Sequence, residues 1–295
     1  EIPTVFINVQ RVGPSTGMPT RTQQCDTMLC AYASHGDTKH PILVPSNPNE
    51  CFHMAVKSFD LAERLQTPVF LLSDLDIGMN DWMVPELEWD DSYTPDRGKV
   101  LGPEELAEMD RFVRYLDVDG DGIPYRTLPG EDPKGAYFTR GSGHNKYGGY
   151  TENSDEYQEI VDRLLVKWDT AKTMVHDAVL SQSSKKTSIG VIAYGSSDGA
   201  VIEARDRLAE QGVYVNYLRI RAFPFSAEVL EFLHNHDTIY VVEQNRDAQM
   251  KSLLMLEAND IADRLVSILH YNGMPIPSEC VVTGIMEHQG AEAAA

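Results

Sequence analysis

The chain has 295 residues, long enough for two domains of ordinary size, and its 42% hydrophobic and 24% charged residues suit a globular core. No uncharged apolar run of about 18 residues occurs and no basic-then-apolar leader opens the chain, so neither a membrane span nor a signal peptide is predicted. The net charge of −20 argues against nucleic acid and anionic membrane surfaces as partners, because both need basic patches, and it fits a cytoplasmic protein.

EIPTVFINVQ (1–10) has the pattern of a buried strand beginning at the second residue. A domain rarely opens on its central strand, so a preceding segment is expected, cut off or carried on another chain. A polar loop follows, Arg11 to Gln24. CDTMLCAYASH (25–35) has helical apolar spacing, and ILV (42–44) is a short strand. In PSNPNECFHMAVKSFDLAERL, Asn47 is a suitable N-cap, Pro48 suits the first helical position and Glu50 completes a capping box. Phe52, Ala55, Val56, Phe59, Leu61, Ala62 and Leu65 then predict one apolar face. TPVFLLSD (67–74) reads as a strand buried on both faces of a parallel sheet.

Residues 80–150 break the alternation of strand and helix with Asp, Gly, Pro, Trp and Tyr, and carry one short amphipathic helix at 103–116. A helix over 153–180 is predicted to turn Tyr157, Ile160, Val161, Leu164, Leu165 and Trp168 inward. SQSSKKT (181–187) is the expected linker. Beyond it come a strand at 188–195, a helix closed by Gly212, a strand at 213–220, a helix SAEVLEFLHNH and a strand at 238–245. Alternation of this kind predicts an α/β class with domains at 1–180 and 186–295.

The strongest local signal is Gln10-Arg11-Val12-Gly13-Pro14-Ser15-Thr16-Gly17-Met18-Pro19-Thr20, at the end of a strand, where open α/β sheets bind ligands. Gly13 and Gly17 let backbone approach a ligand. Arg11 offers a planar fork for a carboxylate, and Ser15 and Thr16 add hydroxyls. A plain Gly-Pro-Ser turn with an exposed arginine fits the same spacing.

QRVGPSTGMPT with Gln23-Gln24-Cys25-Asp26 resembles the QR-x-GPSTG-x-PT-x-x-x-Q-x-D loop of 2-oxoacid:ferredoxin oxidoreductase alpha subunits, of the 2-oxoglutarate type. HGD (35–37), VPSNPNECF (44–52), SDLDIGMNDWMVP (73–85), DRGKV (96–100), GIPYRTLPG (122–130) and GAYFTRGSGHNKYGGYTENSDEY (135–157) continue it. YGSSDGAVIEA (194–204), RAFPF (221–225) and YVVEQNRDAQM (240–250) look like the subunit's transketolase-C-terminal-like domain, so the resemblance covers nearly the whole chain.

The resemblance implies a pyrimidine-type thiamine-diphosphate domain, here truncated, followed by that C-terminal domain. It implies oxidative decarboxylation of a 2-oxoacid by CoA, electrons passing to ferredoxin, with Arg11 on the substrate carboxylate. Thiamine diphosphate and Mg²⁺ would be shared with a beta subunit, which would also hold a [4Fe–4S] cluster, in an (alpha-beta)2 assembly. The family's Tyr-Pro-x-Thr-Pro segment and its pyrimidine-binding glutamate do not occur here, and the resemblance places both in an upstream alpha-subunit segment. Two rival readings remain: a non-catalytic docking subunit, and another thiamine-diphosphate enzyme acting on pyruvate or a branched-chain oxoacid.

Four further features admit two readings each. Asp117, Asp119 and Asp121 with Gly122 resemble the first half of a calcium loop, but Leu128 stands where the bidentate carboxylate belongs, so a solvated turn competes with a Ca²⁺ or Mg²⁺ site completed elsewhere. His144, Asn145, Lys146 and Tyr147 form a Gly-flanked loop, either packed or reaching a partner or the active-site mouth. Tyr194-Gly195-Ser196-Ser197 is a strand-to-helix turn in which the serines either cap the helix or help bind a CoA phosphate. Glu243, Gln244 and Asn245 are expected at an interface. Cys25, Cys30, Cys51 and Cys280 form no CxxC pair and read as reduced thiols. His234 and His236 suit a solvated helix C-terminus.

Overall fold

A computed structural model describes residues 1–294. The expected α/β class is the one found, with two sheets. The first has the order β1-β3-β2-β7, with β1 Thr4–Gln10, β2 Ile42–Leu43, β3 Pro68–Asp74 and β7 Ala222–Phe223. Strands β2 and β3 run parallel, and β7 adds antiparallel to β2. The second has the order β4-β6-β5-β8-β9, with β4 Val179–Ser181, β5 Ile189–Tyr194, β6 Asn216–Ile220, β8 Thr238–Glu243 and β9 Leu265–Leu269. All its neighbours are parallel except the β4–β6 pair.

Strand β5 (IGVIAY) is central and almost wholly buried, as its continuous apolar run predicts. Helix α6 (Asp198–Glu210) and helix α9 (Ser278–Ala294) close a core over this sheet, in which Val201, Ala204, Leu208, Val281 and Ile285 meet Val191, Ala193, Tyr240 and Val242. Helix α7 is Ala227–His234, and helix α8 is Gln249–Glu257. Gly212, at φ +85, follows the end of α6 as expected.

Several elements differ from expectation, each for a local reason. Strand β1 lies at the edge of its sheet, not inside it, and Phe6, Ile7 and Val9 are exposed. Its run of apolar residues on both faces imitates a central strand. Helix α1 is only Thr27–Ala31. Helix α2 spans Pro48–Leu65, but its buried face is Met54, Ser58, Leu61, Ala62 and Leu65, while Phe59 faces solvent. Asn47 caps the helix as expected, and only the reciprocal bond of the box is displaced by one residue. The Asn47 side chain accepts from the Glu50 N–H at 2.9 Å, while the Glu50 carboxylate reaches the Ser46 N–H at 3.0 Å. Helix α3 is Leu75–Met79.

Helix α4 stops at Pro103–Glu108 because Lys134 Nζ donates to the carbonyls of Leu106, Ala107 and Met109 at 3.1, 3.2 and 2.9 Å. Helix α5 covers Ser154–Ala171 and turns Ile160, Arg163, Lys167, Trp168 and Ala171 inward, leaving Tyr157 and Leu165 exposed. Apolar spacing alone could not reveal a helix that buries two cations.

The chain divides into two compact units, one of Glu1–Thr4, Phe59–Pro68 and Ser92–Met174, the other of Val5–Ser58, Val69–Asp91 and Val175–Ala295. No described helix is long and apolar enough to cross a membrane.

Candidate functional site

The loop after β1 is held by its backbone while its side chains stay free. Gln10 is buried; its amide donates to the Ser73 carbonyl at 3.3 Å and accepts from the Asp26 N–H at 2.9 Å. Val12 is buried and bridges to Met18, and the Gly17 N–H donates to the Val12 carbonyl at 2.8 Å. A Cβ on Gly17 would stand 3.1 Å from the Gly13 carbonyl oxygen, which explains the glycine. The Gly13 N–H donates to Gln23 Oε1 at 2.9 Å. Arg11, Ser15 and Thr16 are exposed, and Arg11 has no side-chain partner among the described residues. The structure thus brings the predicted residues onto one loop with the guanidinium open to a ligand.

Gln24 fastens this loop to the carboxyl ends of β5 and β8. Its N–H donates to the Gln244 carbonyl at 2.8 Å, its Oε1 accepts from the Gln244 N–H at 2.9 Å, and its Nε2 donates to the Tyr194 carbonyl at 2.9 Å. Gly195 sits at φ +58, a conformation that disfavours other residues, and a Cβ there would press on Gln24 Nε2 at 2.9 Å. The Cys25 thiol donates to the Arg11 carbonyl at 3.2 Å. Burial, then the charge of Asp26 and a hydrogen bond to it, pushes that thiol up to about 12, so it is a structural donor and not a nucleophile at neutral pH. All four cysteines are free.

Beneath the loop lies a buried polar hub. Asp74, at the end of β3, accepts from the Asp76 and Ile77 N–H groups at 2.9 and 3.3 Å and from the Ser196 hydroxyl at 2.7 Å. Gln244 Nε2 donates to Ser196 Oγ at 2.8 Å and to Ser197 Oγ at 3.2 Å. Burial raises the Asp74 carboxyl against these donors. Ser196 and Ser197 are therefore spent inside the fold. Neither hydroxyl caps α6, and both are engaged within the fold, Ser196 on Asp74 and each of them with Gln244.

Glu243, Gln244 and Asn245 are buried and do not form an exposed interface. Glu243 instead accepts the Met250 and Lys251 N–H groups at 2.7 and 3.0 Å, holding the first turn of α8. Asp74 is the hub residue that motif reading passed over, and Gln244, expected at an interface, is buried in the hub instead. The Ser-Asp that ends an apolar strand was the hint of Asp74.

The other candidates lie away from this loop in sequence and are committed locally. Asn145 Oδ1 accepts from the Tyr147 and Gly149 N–H groups, both at 3.1 Å, and so fastens its own turn. His144 stacks on Tyr115 with ring centroids 4.1 Å apart. The calcium-loop reading is corrected. Lys99 Nζ donates to Asp121 at 2.7 Å, to Asp119 at 2.9 Å and to the Ile123 carbonyl at 3.0 Å, while Asp117 accepts the Gly120 and Gly122 N–H groups, both at 2.9 Å. A lysine supplies the positive charge there. No group of three or more His, Cys, Asp or Glu among the described residues could hold a metal ion. His234 is the solvated helix-end histidine expected, paired to Asp260 at 3.1 Å, whereas His236 is buried.

Residues 1–111 match the family described as "Pyruvate flavodoxin/ferredoxin oxidoreductase, thiamine diP-bdg". The chain is 31% identical over 284 residues to 2-oxoacid:ferredoxin oxidoreductase 2, subunit alpha, of Aeropyrum pernix, covering 94% of this chain and 42% of that protein. It is 32% identical over 252 residues to 2-oxoglutarate synthase subunit KorA of Methanothermobacter thermautotrophicus, covering 83% of this chain and 63% of that protein. The 2-oxoglutarate:ferredoxin oxidoreductase of Magnetococcus marinus, solved with 2-oxoglutarate, coenzyme A and succinyl-CoA bound, shares the fold at a TM-score of 0.84 and 24% identity, over 97% of this chain and 48% of that one. The chain thus spans 42% to 63% of the length of these curated relatives. It belongs, as a portion, to the 2-oxoacid:ferredoxin oxidoreductase alpha-subunit family.

Proposed function

We propose that this chain positions the oxoacid in a thiamine-diphosphate-dependent 2-oxoacid:ferredoxin oxidoreductase, and that the oxoacid is 2-oxoglutarate. The observation that carries the reading is Arg11: an unengaged guanidinium on a loop whose backbone is tied to Gln23 and Val12 and, through Gln24, to Gln244. A planar fork held this way grips a carboxylate bidentately and fixes the direction of the adjoining keto carbon. Ser15 and Thr16 add hydroxyl donors beside it. Relatives named for 2-oxoglutarate from Methanothermobacter thermautotrophicus, Archaeoglobus fulgidus and Mycobacterium tuberculosis favour that substrate among the 2-oxoacids.

The overall reaction would take a 2-oxoacid, CoA and two oxidised ferredoxins to an acyl-CoA, CO₂, a proton and two reduced ferredoxins. Thiamine diphosphate, when bound, supplies the electron sink for decarboxylation. The residues described around the loop do not fit its aminopyrimidine: Asp26 accepts from Asn8 at 2.9 Å, and Asp74 and Glu243 are filled by internal donors. Arg11 is therefore assigned to substrate alone, and no cofactor ligand is assigned on this chain. A beta subunit would share the thiamine diphosphate and Mg²⁺ and carry the [4Fe–4S] cluster, in a cytoplasmic (alpha-beta)2 assembly that reduces ferredoxin. Residues 1–180 and 186–295 are proposed as the two sequence domains.

In the assembled enzyme, Arg11→Ala is expected to lower kcat/KM for 2-oxoglutarate by about 10- to 100-fold, mostly through KM, because a charged hydrogen-bonded pair contributes about 1.5–3 kcal/mol. Steady-state viologen-linked oxidation measures it. Unchanged kinetics would remove Arg11 from the site. Loss with every 2-oxoacid tested but no preference for 2-oxoglutarate in the wild type would remove the substrate assignment alone.

A further inference from the structure

The Arg11 guanidinium has no hydrogen-bond partner among the described residues, so its own main chain sets where it points. That main chain is gripped at three places by one returning segment, Gln23 to Asp26. The Asp26 N–H donates to Gln10 Oε1 at 2.9 Å, the Cys25 thiol to the Arg11 carbonyl at 3.2 Å, and the Gly13 N–H to Gln23 Oε1 at 2.9 Å. A Cβ on Gly13 would stand 3.8 Å from Cys25 Sγ, so the two segments lie in van der Waals contact.

Gln24 sits in the middle of this grip and bonds to nothing in the loop. It is 1% exposed, and it faces the sheet ends instead. Its side-chain amide is used in both directions: Oε1 accepts from the Gln244 N–H at 2.9 Å and from the Ser197 hydroxyl at 3.5 Å, while Nε2 donates to the Tyr194 carbonyl at 2.9 Å. Its N–H adds a bond to the Gln244 carbonyl at 2.8 Å. Gln23 and Cys25, which hold Gly13 and Arg11, are its two chain neighbours. They can hold the loop in one place only if Gln24 holds them.

An amide is required for this task, because it offers a donor and an acceptor from one planar group. Leucine has nearly the same shape and neither function. It would leave the Gln244 N–H and the Tyr194 carbonyl without their side-chain partner in a buried place and would release the segment from the sheet.

We propose that Gln24 is a positioning residue for the oxoacid, acting through Gln23 and Cys25 on the direction of the Arg11 guanidinium, an inference that rests on Arg11 as the ligand of the substrate carboxylate. A binding group displaced by about 1 Å costs up to about 100-fold in rate. Loss of the pin therefore weakens oxoacid binding while the sheet beneath stays assembled.

A double-mutant cycle in the assembled enzyme decides it, with Gln24→Leu made in the wild type and in Arg11→Ala and both KM values measured by viologen-linked oxidation. With Arg11 present, Gln24→Leu is expected to raise the oxoacid KM about 10-fold, to lower kcat less, and to leave the KM for CoA in place. In Arg11→Ala the same change should alter the oxoacid KM by less than about 2-fold, because the group it aims is gone. A purely structural role predicts the opposite split: less folded enzyme, hence a lower apparent kcat with the oxoacid KM unmoved. That split would overturn the proposal, as would an equal rise in KM in both backgrounds or a matching rise in the KM for CoA. Should Gln24→Leu fail to assemble, Gln23→Ala carries the same cycle, since Gln23 is half-buried and gives up one bond; about a 3-fold rise in oxoacid KM, confined to the Arg11 background, is expected, and no rise would overturn the clamp. A large loss in Arg11→Ala beside a silent Gln24→Leu sinks the positioning role alone. Unchanged kinetics in Arg11→Ala sink the substrate reading and this inference with it.

Discussion

Glu50, in the first turn of α2, and Asp74, at the end of β3, are both carboxylates, and their environments drive them in opposite directions. Burial pushes Glu50 up, but the Arg219 hydrogen bond, the Ser46 N–H and the charges of Arg219 and Arg221 outweigh it and bring the carboxyl down to about 2. Arg219 grips both Glu50 oxygens, at 2.7 and 2.9 Å. Asp74 has no cation in contact, so burial prevails and raises it; its ionisation therefore costs stability as pH climbs through the raised value. For Glu50 the sign is reversed. Its folded pKa lies below the unfolded one, so its contribution is complete above about 4.5 and is lost as pH falls toward 2. Glu50→Gln should therefore cost on the order of 2–3 kcal/mol at pH 7. That gap should narrow by about 1 kcal/mol at pH 3.5. Urea unfolding of both proteins at the two pH values measures the gap, and a gap independent of pH would mean that the ion pair is not its source.

Between residue and element stands Gly122, where the acidic turn meets helix α5. Its φ is +75, and a Cβ there would lie 2.2 Å from the Lys167 nitrogen and 2.7 Å from the Arg163 carbonyl oxygen. Gly120 has φ +82 and nothing within 4 Å of its Cβ position. Both glycines share the backbone strain that alanine would feel, about 1 kcal/mol, but only Gly122 adds a clash with helix backbone. Gly122→Ala is expected to destabilise by more than about 3 kcal/mol and Gly120→Ala by about 1, read from denaturant midpoints. Similar losses would show that α5 moves aside. The same turn marks the limit of sequence reading. DVDGDG was legible as a turn, but its partner Lys99, 22 residues before Asp121, was not, because the pairing arises only through tertiary contact. Apolar runs made β3, β5 and β8 legible, since strands buried on both faces need little else. Strand β1 showed the same run and proved to be an edge, because pattern reports hydrophobicity and not neighbours. Arg11, Ser15 and Thr16 were readable as a loop, whereas Gln24, Asp74 and Gln244 act across the chain, 50 to 220 residues apart, and single-sequence spacing cannot join them.

At the scale of the whole chain, 45 acidic residues oppose 25 basic ones, and several of the basic ones are taken up by internal ion pairs, as at Arg219, Arg126, Arg163 and Lys167. Each such pair takes up an acidic residue as well, so the remaining residues keep an excess of acidic charge close to the net −20. Acidic self-repulsion favours expansion, and it acts over the Debye length, about 30 Å at 0.01 M salt and about 10 Å at 0.1 M. Raising NaCl from 0.01 to 0.2 M should therefore raise Tm, by about 2–4 °C for each kcal/mol of repulsion screened. A falling Tm with NaCl would mean that the ion pairs outweigh surface repulsion, because screening would then remove more attraction than repulsion.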